Sequence, residues 1–543
     1  MNKQSKSGIT LIALIITIIV MLILVGVTVT VAINGGLFEK AKEAAKGTTM
    51  ARVKEQIQID IIEKQLENNG NISEESLKEI LEKYGTLSKE EKITDKTLTT
   101  KENYEIKVSD IWNGPQNPTF TTVANAPDID GFNKSNTYYV SWDLTSSPYQ
   151  INENTNLNGV APSNWYDYTE GVNHWANVKT TGGENDCYWV WIPRYAYKVP
   201  TRNSTAETIE IKFLKDDTNI PIGETTEITN TTPKPGEWVV HPAFTNAGNG
   251  GFGNLTGIWV AKFEASSNSS TVVENPTAAQ LAIDGGSDTD TDLKVRVKPN
   301  VTSWRGITVN NIFTVCRNLT QTGNSLENTS NLNSHMMKNT EWGAVAYLSR
   351  SVYGKNGEVW NNPYYNNTTN LSPITGLCGN ETNGKDNATT NMSNTVKYNE
   401  TGGGNASTTG NVYGIYDMAG GAWEYVAGYL SEITALTNYT TLASADSKYK
   451  DVYAGTSSDK NTNYNANTGK YGDAVYETSS SGDSDSGSWD SSRSFFPDSS
   501  NPVFFRGGRA AYGSSAGVFA FNSGTGVAYT GRSFRPVVLS SQP

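Results

Sequence analysis

The sequence predicts an α+β chain: an apolar helix and a helical segment at the N-terminus, followed by a large, turn-rich β domain. Three observations lead there. Residues Ile9 to Ile33 run for 25 positions without a charge, longer than the roughly 20 residues a helix needs to cross a hydrocarbon core. Met50, Val53, Ile57 and Ile61 then recur at spacings of three and four among Lys and Glu, which marks a helix with one apolar face. From about Tyr104, aromatic and β-branched clusters such as Tyr138-Tyr139-Val140-Ser141-Trp142 alternate with Asn, Gly and Ser stretches, the pattern of strands and turns.

Composition narrows the classes of function. A chain of 543 residues that is 36% hydrophobic and 10% aromatic can bury the cores of two or three domains. Its net charge of −12, with only 18% charged residues, leaves no overall basic field to hold phosphates and argues against nucleic acid as a partner. The cysteines Cys187, Cys316 and Cys378 leave room for one disulfide and exclude a disulfide scaffold; no CxxC or Cys/His spacing suggests zinc. His174, His241 and His335 are isolated in sequence and read as surface or packing residues, so no metal centre is expected.

The N-terminal segments follow in order. Lys3 and Lys6 precede the apolar run, which favours a cytoplasmic N-terminus and a C-terminal domain outside the membrane. The short basic leader 1–8, Gly8, and the run opening Ile9-Thr10-Leu11-Ile12 together resemble the type IV prepilin signal. That resemblance implies cleavage after Gly8, methylation of the Ile9 amine by a prepilin peptidase, and a helix over 9–34 that packs with other pilin subunits. The family usually carries a glutamate five residues after the cut, where this chain has Ala13. Loss of that acid removes an ion pair from an apolar setting and suits a minor or tip subunit. Residues 35–108 read as a helical stalk, with Ser73 capping a second helix, EESLKEILEKYG, that ends at Gly85. Residues 109–180 read as a small β module or linker.

Residues 181–543 hold a set of motifs in order: CYWVWIPRYAYKV (187–199), GIWVAKFEAS (257–266), HMMKNTEWGAVAYLS (335–349), NVYGIYDMAGGAWEYVAG (411–428), FFRGG (504–508) and SFRPVV (533–538). Together they resemble the formylglycine-generating-enzyme, or sulfatase-modifying-factor, branch of the C-type-lectin fold. Trp342, Trp423 and Tyr416 would supply large buried surface, and the glycines at 414, 420 and 421 would allow turns that side chains block. The Asn/Thr/Ser/Gly stretches at 380–410 and 455–500 read as surface loops. The family's enzyme oxidises a substrate cysteine with a pair of its own cysteines between the RGG and FRP motifs. This chain has no cysteine after Cys378, so a copper(I) centre lacks its thiolates and no catalytic residue is expected. Related domains bind calcium near the motif holding Asp417 and Glu424; Gly421 stands where the family usually has Asn, and both acids read first as hydrogen-bonded structural carboxylates. No cofactor is expected beyond a structural calcium.

The last tract has a restricted vocabulary. Between Ser499 and Ser541 there is no Asp, Glu, Lys, Gln, Met or Trp, where average usage would place about six acids, Met and Trp. The tract, about 506–536, resembles the variable region of diversity-generating retroelement targets, in which template adenines are randomised. An AAC codon randomised at its first two positions becomes NNC, which cannot encode Lys, Glu, Gln, Met or Trp. The ten variable positions that the resemblance suggests, Arg509, Ala511, Tyr512, Ala520, Ser523, Thr525, Val527, Tyr529, Thr530 and Arg532, all obey that rule; the missing Asp does not follow from it. Arg506 and Arg535 lie in the framework motifs, while Phe504, Phe505, Phe519, Phe521, Phe534 and Pro536 would fix the backbone. The alternation Val518-Phe519-Ala520-Phe521 suits a strand with one face outward.

The resemblances together imply a surface-displayed, variable ligand-binding protein rather than an enzyme. It would be an adhesin or receptor-binding protein, anchored by a single membrane pass or carried at a pilus or pseudopilus tip. Its ligand would be a protein or glycan on another cell, a phage or a host surface. A structural pilin without diversified binding is the alternative. Ligand identity and oligomeric state are not encoded in any motif.

Overall fold

A computed structural model of the chain describes residues 49–61, 64, 74–112, 123–182, 185–232, 234–268, 293–329, 331–365, 373–431 and 437–540. The leader with its Gly8–Ile9 junction and the apolar run at 9–34 lie outside the described residues, as does Ser73. Among those described, no helix is long and apolar enough to cross a membrane. The chain divides into two units, Met1–Asn117 and Pro118–Pro543.

Apolar spacing sets the packing of the first unit. A helix over 49–61 buries Ile57 and Ile61, with Met50 and Val53 against the same core; the helix Glu74–Tyr84 adds Leu77, Ile80 and Leu81. Two helical stripes alone would leave an apolar side open to water. Three antiparallel strands supply further cover: β1 (Gly85–Leu87), β2 (Thr97–Thr100) and β3 (Glu105–Lys107), paired in that order, with Leu98 and Ile106 in the core. Burial alternates along β2, the period-two pattern of a strand. The helical stalk expected over 35–108 is therefore, in its described part, a small helix-and-sheet unit, and its core also takes Ile93, Val108, Ile111 and Trp112.

The second unit is mostly sheet. It runs through β4 (Thr137–Asp143), β5 (Gln150–Asn152), β6 (Asn177–Thr180) and β7 (Cys187–Pro193). A three-stranded sheet of β8 (Tyr195–Lys198), β9 (Ile211–Phe213) and β10 (Trp238–Val240) precedes β11 (Gly257–Ala261). β12 (Ser266–Ser267) pairs with β13 (Val295–Arg296); β14 (Leu332–Met336) follows, then β15 (Leu377–Gly379), which pairs with β16 (Thr395–Lys397). The last strands are β17 (Trp423–Leu430), β18 (Asp451–Tyr453), β19 (Asp483–Ser484), β20 (Ser494–Phe495), β21 (Val503–Arg506), β22 (Phe521–Gly524), β23 (Arg532–Phe534) and β24 (Pro536–Ser540).

Two seven-stranded sheets organise these elements. The first has the order β14-β24-β11-β7-β6-β4-β5, so the strand nearest the C-terminus sits inside the sheet between β14 and β11. Its central strands are apolar in runs, because both faces are covered: Trp189 to Ile192 of β7 and Ile258 to Val260 of β11 are all buried. The second sheet has the order β18-β17-β21-β22-β20-β19, with β23 beside β17.

Two domain expectations change. Residues 109–180 are not a separate module, since β4 and β6 pair into the first sheet next to β7; the division falls at 117/118, not at 181. The Asn/Ser-rich stretch 455–500 is not simply a surface loop, because it sends Tyr464, Trp489 and Phe496 into the core. Likewise Tyr398, Ala406, Ser407 and Thr408 are buried within 380–410. Polar residues achieve this by bonding backbone that no sheet reaches. The Asn463 amide accepts from Ser457 N at 3.0 Å and donates to Ser457 O at 2.9 Å and Pro497 O at 3.0 Å.

Glu477 ties the same stretch to the core. It accepts from Tyr347 Oη at 2.7 Å, Tyr197 Oη at 2.8 Å and Gly472 N at 2.5 Å. Burial nevertheless pushes its carboxyl up to about 7 from an ordinary 4.5. Between those values the native chain holds a proton that the unfolded chain releases. The contribution of Glu477 to stability is therefore complete below pH 4.5 and is lost as pH rises to about 7. Unfolding free energies of the wild type and Glu477→Gln, measured across that window, should differ by an amount that falls by about 3 kcal/mol. A difference that stays flat with pH would refute this account.

Candidate functional site

Two buried arginines bracket the C-terminal tract. Arg506 ends β21 and has no carboxylate partner among the described residues; its guanidinium is solvated by protein oxygens instead. It donates to Ala520 O at 3.1 Å, Asn339 Oδ1 at 3.1 Å, Asp473 O at 2.8 Å and Ala474 O at 2.9 Å. Arg535 lies between β23 and β24, where the chain leaves the second sheet for the first. It forms a two-pronged bond to Glu424 of β17, at 2.7 Å and 3.1 Å, and donates to Ala261 O of β11 at 2.7 Å and Tyr416 O at 2.8 Å. Phe504, Phe505, Phe519, Phe521, Phe534 and Pro536 are buried, in line with a framework role.

The ten candidate positions separate into three groups. Arg509, Ala511 and Tyr512 lie on or beside the 3-10 turn Ala510–Ser515, with Ala511 exposed and the other two half-buried. Thr525, Val527, Tyr529 and Thr530 occupy the loop between β22 and β23, where Val527 is 39% and Tyr529 43% exposed, and Arg532 opens β23. Ala520 and Ser523 do not belong with either group. Ala520 is 0% exposed and its carbonyl receives Arg506; Ser523 is 8% exposed and faces Phe504 across β21 and β22. The expected one-face alternation at 518–521 is absent, as all four residues are buried. The local pattern fails because Val518, Phe519 and Ala520 lie in a turn before β22, and only Phe521 belongs to the strand.

Several side chains from outside the tract adjoin it. Trp423 packs edge-on against Phe505 and Tyr512, with centroids at 4.9 and 5.8 Å. Tyr425 donates to Val527 O at 2.9 Å, and Arg305 to Thr530 O at 2.7 Å. Arg493 stacks on Tyr512 at 4.2 Å and is paired with Asp485. The pattern Trp423-Glu424-Tyr425 holds a usable signal: in β17 the two aromatics two residues apart meet the tract, while Glu424 between them meets Arg535. Nothing in the local sequence marks Arg305 or Arg493.

The surface they form is not a pocket. A crevice lined by Tyr365, Pro373, Gly421, Ala422, Arg509 and Gly531 encloses no space that a water would fill. A larger groove of about 500 Å³, lined by Asn219, Val240, Asn246, Asn254 and Tyr471 among others, shares no residue with the tract.

The candidate calcium oxygens are already engaged. Asp417 accepts from Asn362 Nδ2 at 2.8 Å and Gly376 N at 2.9 Å, and both Glu424 oxygens accept from Arg535. Glu264 accepts from Ala422 N at 2.8 Å; burial, with Asp417 and Glu424 nearby, pushes its carboxyl well above the usual range. A Cβ at Gly421 would lie 2.5 Å from the Glu264 oxygen, which accounts for glycine there. Asp417 and Glu424 are thus held as hydrogen-bonded carboxylates, while Glu264 Oε2 is buried without a hydrogen-bond partner; no His/Cys/Asp/Glu grouping among the described residues could hold a metal. His174 stacks on Tyr413, His241 packs among aromatic rings, and His335 bonds Glu341 at 2.8 Å. Cys187, Cys316 and Cys378 are free and buried.

No protein-family model matches the chain, and no curated protein matches it. Among solved structures, a Treponema denticola variable protein 1 is similar at 11% identity and a TM-score of 0.24, over 67% of this chain and 98% of that one.

Two outcomes follow from the bracket and the burial pattern. Arg535→Met leaves Glu424 buried without its countercharge and should cost about 3–5 kcal/mol. Adding Glu424→Leu should recover much of that loss in denaturant unfolding, and strictly additive effects would show that the pair is not coupled. Ala520→Tyr should destabilise by about 1–3 kcal/mol through overpacking, whereas Tyr529→Ala should stay within about 0.5 kcal/mol. Thermal unfolding of the two variants checks the contrast.

Proposed function

We propose that the chain is a surface-displayed, variable ligand-binding protein whose C-terminal unit has a C-type-lectin fold, with a tract at about 506–536 that is diversified by a retroelement. The observation that carries this reading is the division inside the tract. Framework aromatics and both bracketing arginines are buried, while Ala511, Val527 and Tyr529 are exposed on loops. Exposed apolar and aromatic residues on a rigid frame make good interface anchors, and small polar neighbours adapt around them. Ala520 and Ser523 fall outside the proposed binding set, because a new side chain there would enter the core.

Binding rather than catalysis fits the thiol chemistry. Burial pushes the Cys187 and Cys378 thiols up to about 12 and Cys316 well above its usual value, away from the reactive thiolate. Display at a membrane or filament tip rests on the apolar run from Ile9, the Gly8 junction and Ala13. The natural partners of such a surface are proteins or glycans on another cell, a phage or a host.

Population sequencing of the locus tests the proposal. Substitutions should concentrate at codons 509, 511, 512, 525, 527, 529, 530 and 532, match adenines in a second copy near a reverse transcriptase gene, and avoid the framework phenylalanines. Changes spread evenly through the tract, or away from template adenines, would defeat it.

A further inference from the structure

We infer that this face takes an acidic protein surface, with Arg509 and Arg532 receiving its carboxylates; the inference rests on the tract being the binding face. Charge makes the first case. The chain carries −12 overall, yet the 499–541 stretch has four arginines and no acid. Arg506 and Arg535 are consumed inside the fold, which leaves Arg509 and Arg532 half-buried at the surface. Among the described residues, neither has a carboxylate within ion-pair distance.

Geometry makes the second. The Arg509 guanidinium lies 4.6 Å from the Tyr512 ring centre, with Arg493 on the same ring at 4.2 Å. Because Asp485 neutralises Arg493, the free charge of that stack is that of Arg509. Arg532 lies 4.1 Å from Phe505 and 4.9 Å from Tyr529, and donates to Tyr425 Oη at 2.5 Å. Packing against aromatic rings restrains each guanidinium, so less side-chain entropy is lost when its N–H groups meet a planar carboxylate.

Shape selects the kind of acid. Small anions bind in concave sites, and the crevice beside Arg509 has no room for one. A polyanionic glycan needs a row of cations, whereas in the described part of the tract only Arg509 and Arg532 are free. Val527 and Tyr529, exposed beside Arg532, offer the apolar contact that a protein surface can return.

The test uses the full-length protein on an immobilised peptide array. Each peptide that carries Asp or Glu beside an apolar residue is paired with its Asn or Gln counterpart and with a Lys counterpart; polygalacturonate serves as the glycan arm. The acidic members should be favoured about tenfold or more, with the preference falling as salt rises from about 0.1 to 1 M. Arg509→Gln and Arg532→Gln should each reduce it, and Arg509→Glu should turn the preference towards Lys-bearing peptides, which misfolding cannot do. Equal retention of acidic and amide members, or an acid preference that survives both glutamine substitutions, would overturn the inference. So would stronger retention on polygalacturonate than on any acidic peptide. If retained peptides are lost with Tyr529→Ala yet show no acid preference, only this inference fails; if they are indifferent to Tyr529→Ala and to both arginines, the tract is not the binding face.

Discussion

The buried ion pair between Arg535 and Glu424 is the contact on which the rest of the C-terminal unit depends. Two charges removed from water are tolerated only when their hydrogen-bonding capacity is met. Here the Glu424 oxygens take two N–H groups, and carbonyls of Ala261 and Tyr416 take the others. Those partners come from both seven-stranded sheets. Arg535 is also the single residue between β23 and β24, so the pair sits where the chain crosses from one sheet to the other. The central place of β24 in the first sheet is thereby coupled to the second.

Arg506 does the same at the other end of the tract, with carbonyl and amide oxygens in place of a carboxylate. Burial lowers its own ionisation to about 10, still far above neutral pH, so the group stays charged and its bonds persist. Between these two fixed points the backbone is held while Ala511, Val527 and Tyr529 face outward. Such an arrangement separates stability from recognition. The exposed side chains of Ala511, Val527 and Tyr529 can change without entering the core, whereas those of Ala520 and Ser523, although within the same tract, cannot.

Legibility differed from element to element, for physical reasons. The helices over 49–61 and Glu74–Tyr84 were readable because the 3.6-residue period is strong in a half-buried helix. β1 to β3 were missed, because in three or four residues of sequence a strand period cannot be told from a helical one. The buried roles of Arg506, Arg535, Asp417 and Glu424 followed from their motifs. The core residues of 455–500 did not, since Asn and Ser composition normally marks loops and only their tertiary bonds place Tyr464 and Trp489 inside.

By itself the sequence determined the mixed helix and sheet content, the apolar N-terminal run, and a C-terminal tract with a restricted vocabulary framed by arginines and phenylalanines. These are properties of composition and local order. Only the tertiary structure decided where the division between units falls, which tract residues are exposed, and that Arg305, Arg493, Trp423 and Tyr425 adjoin them. Exposure within a strand depends on what covers each face, and a covering segment distant in the chain leaves no trace in the local pattern.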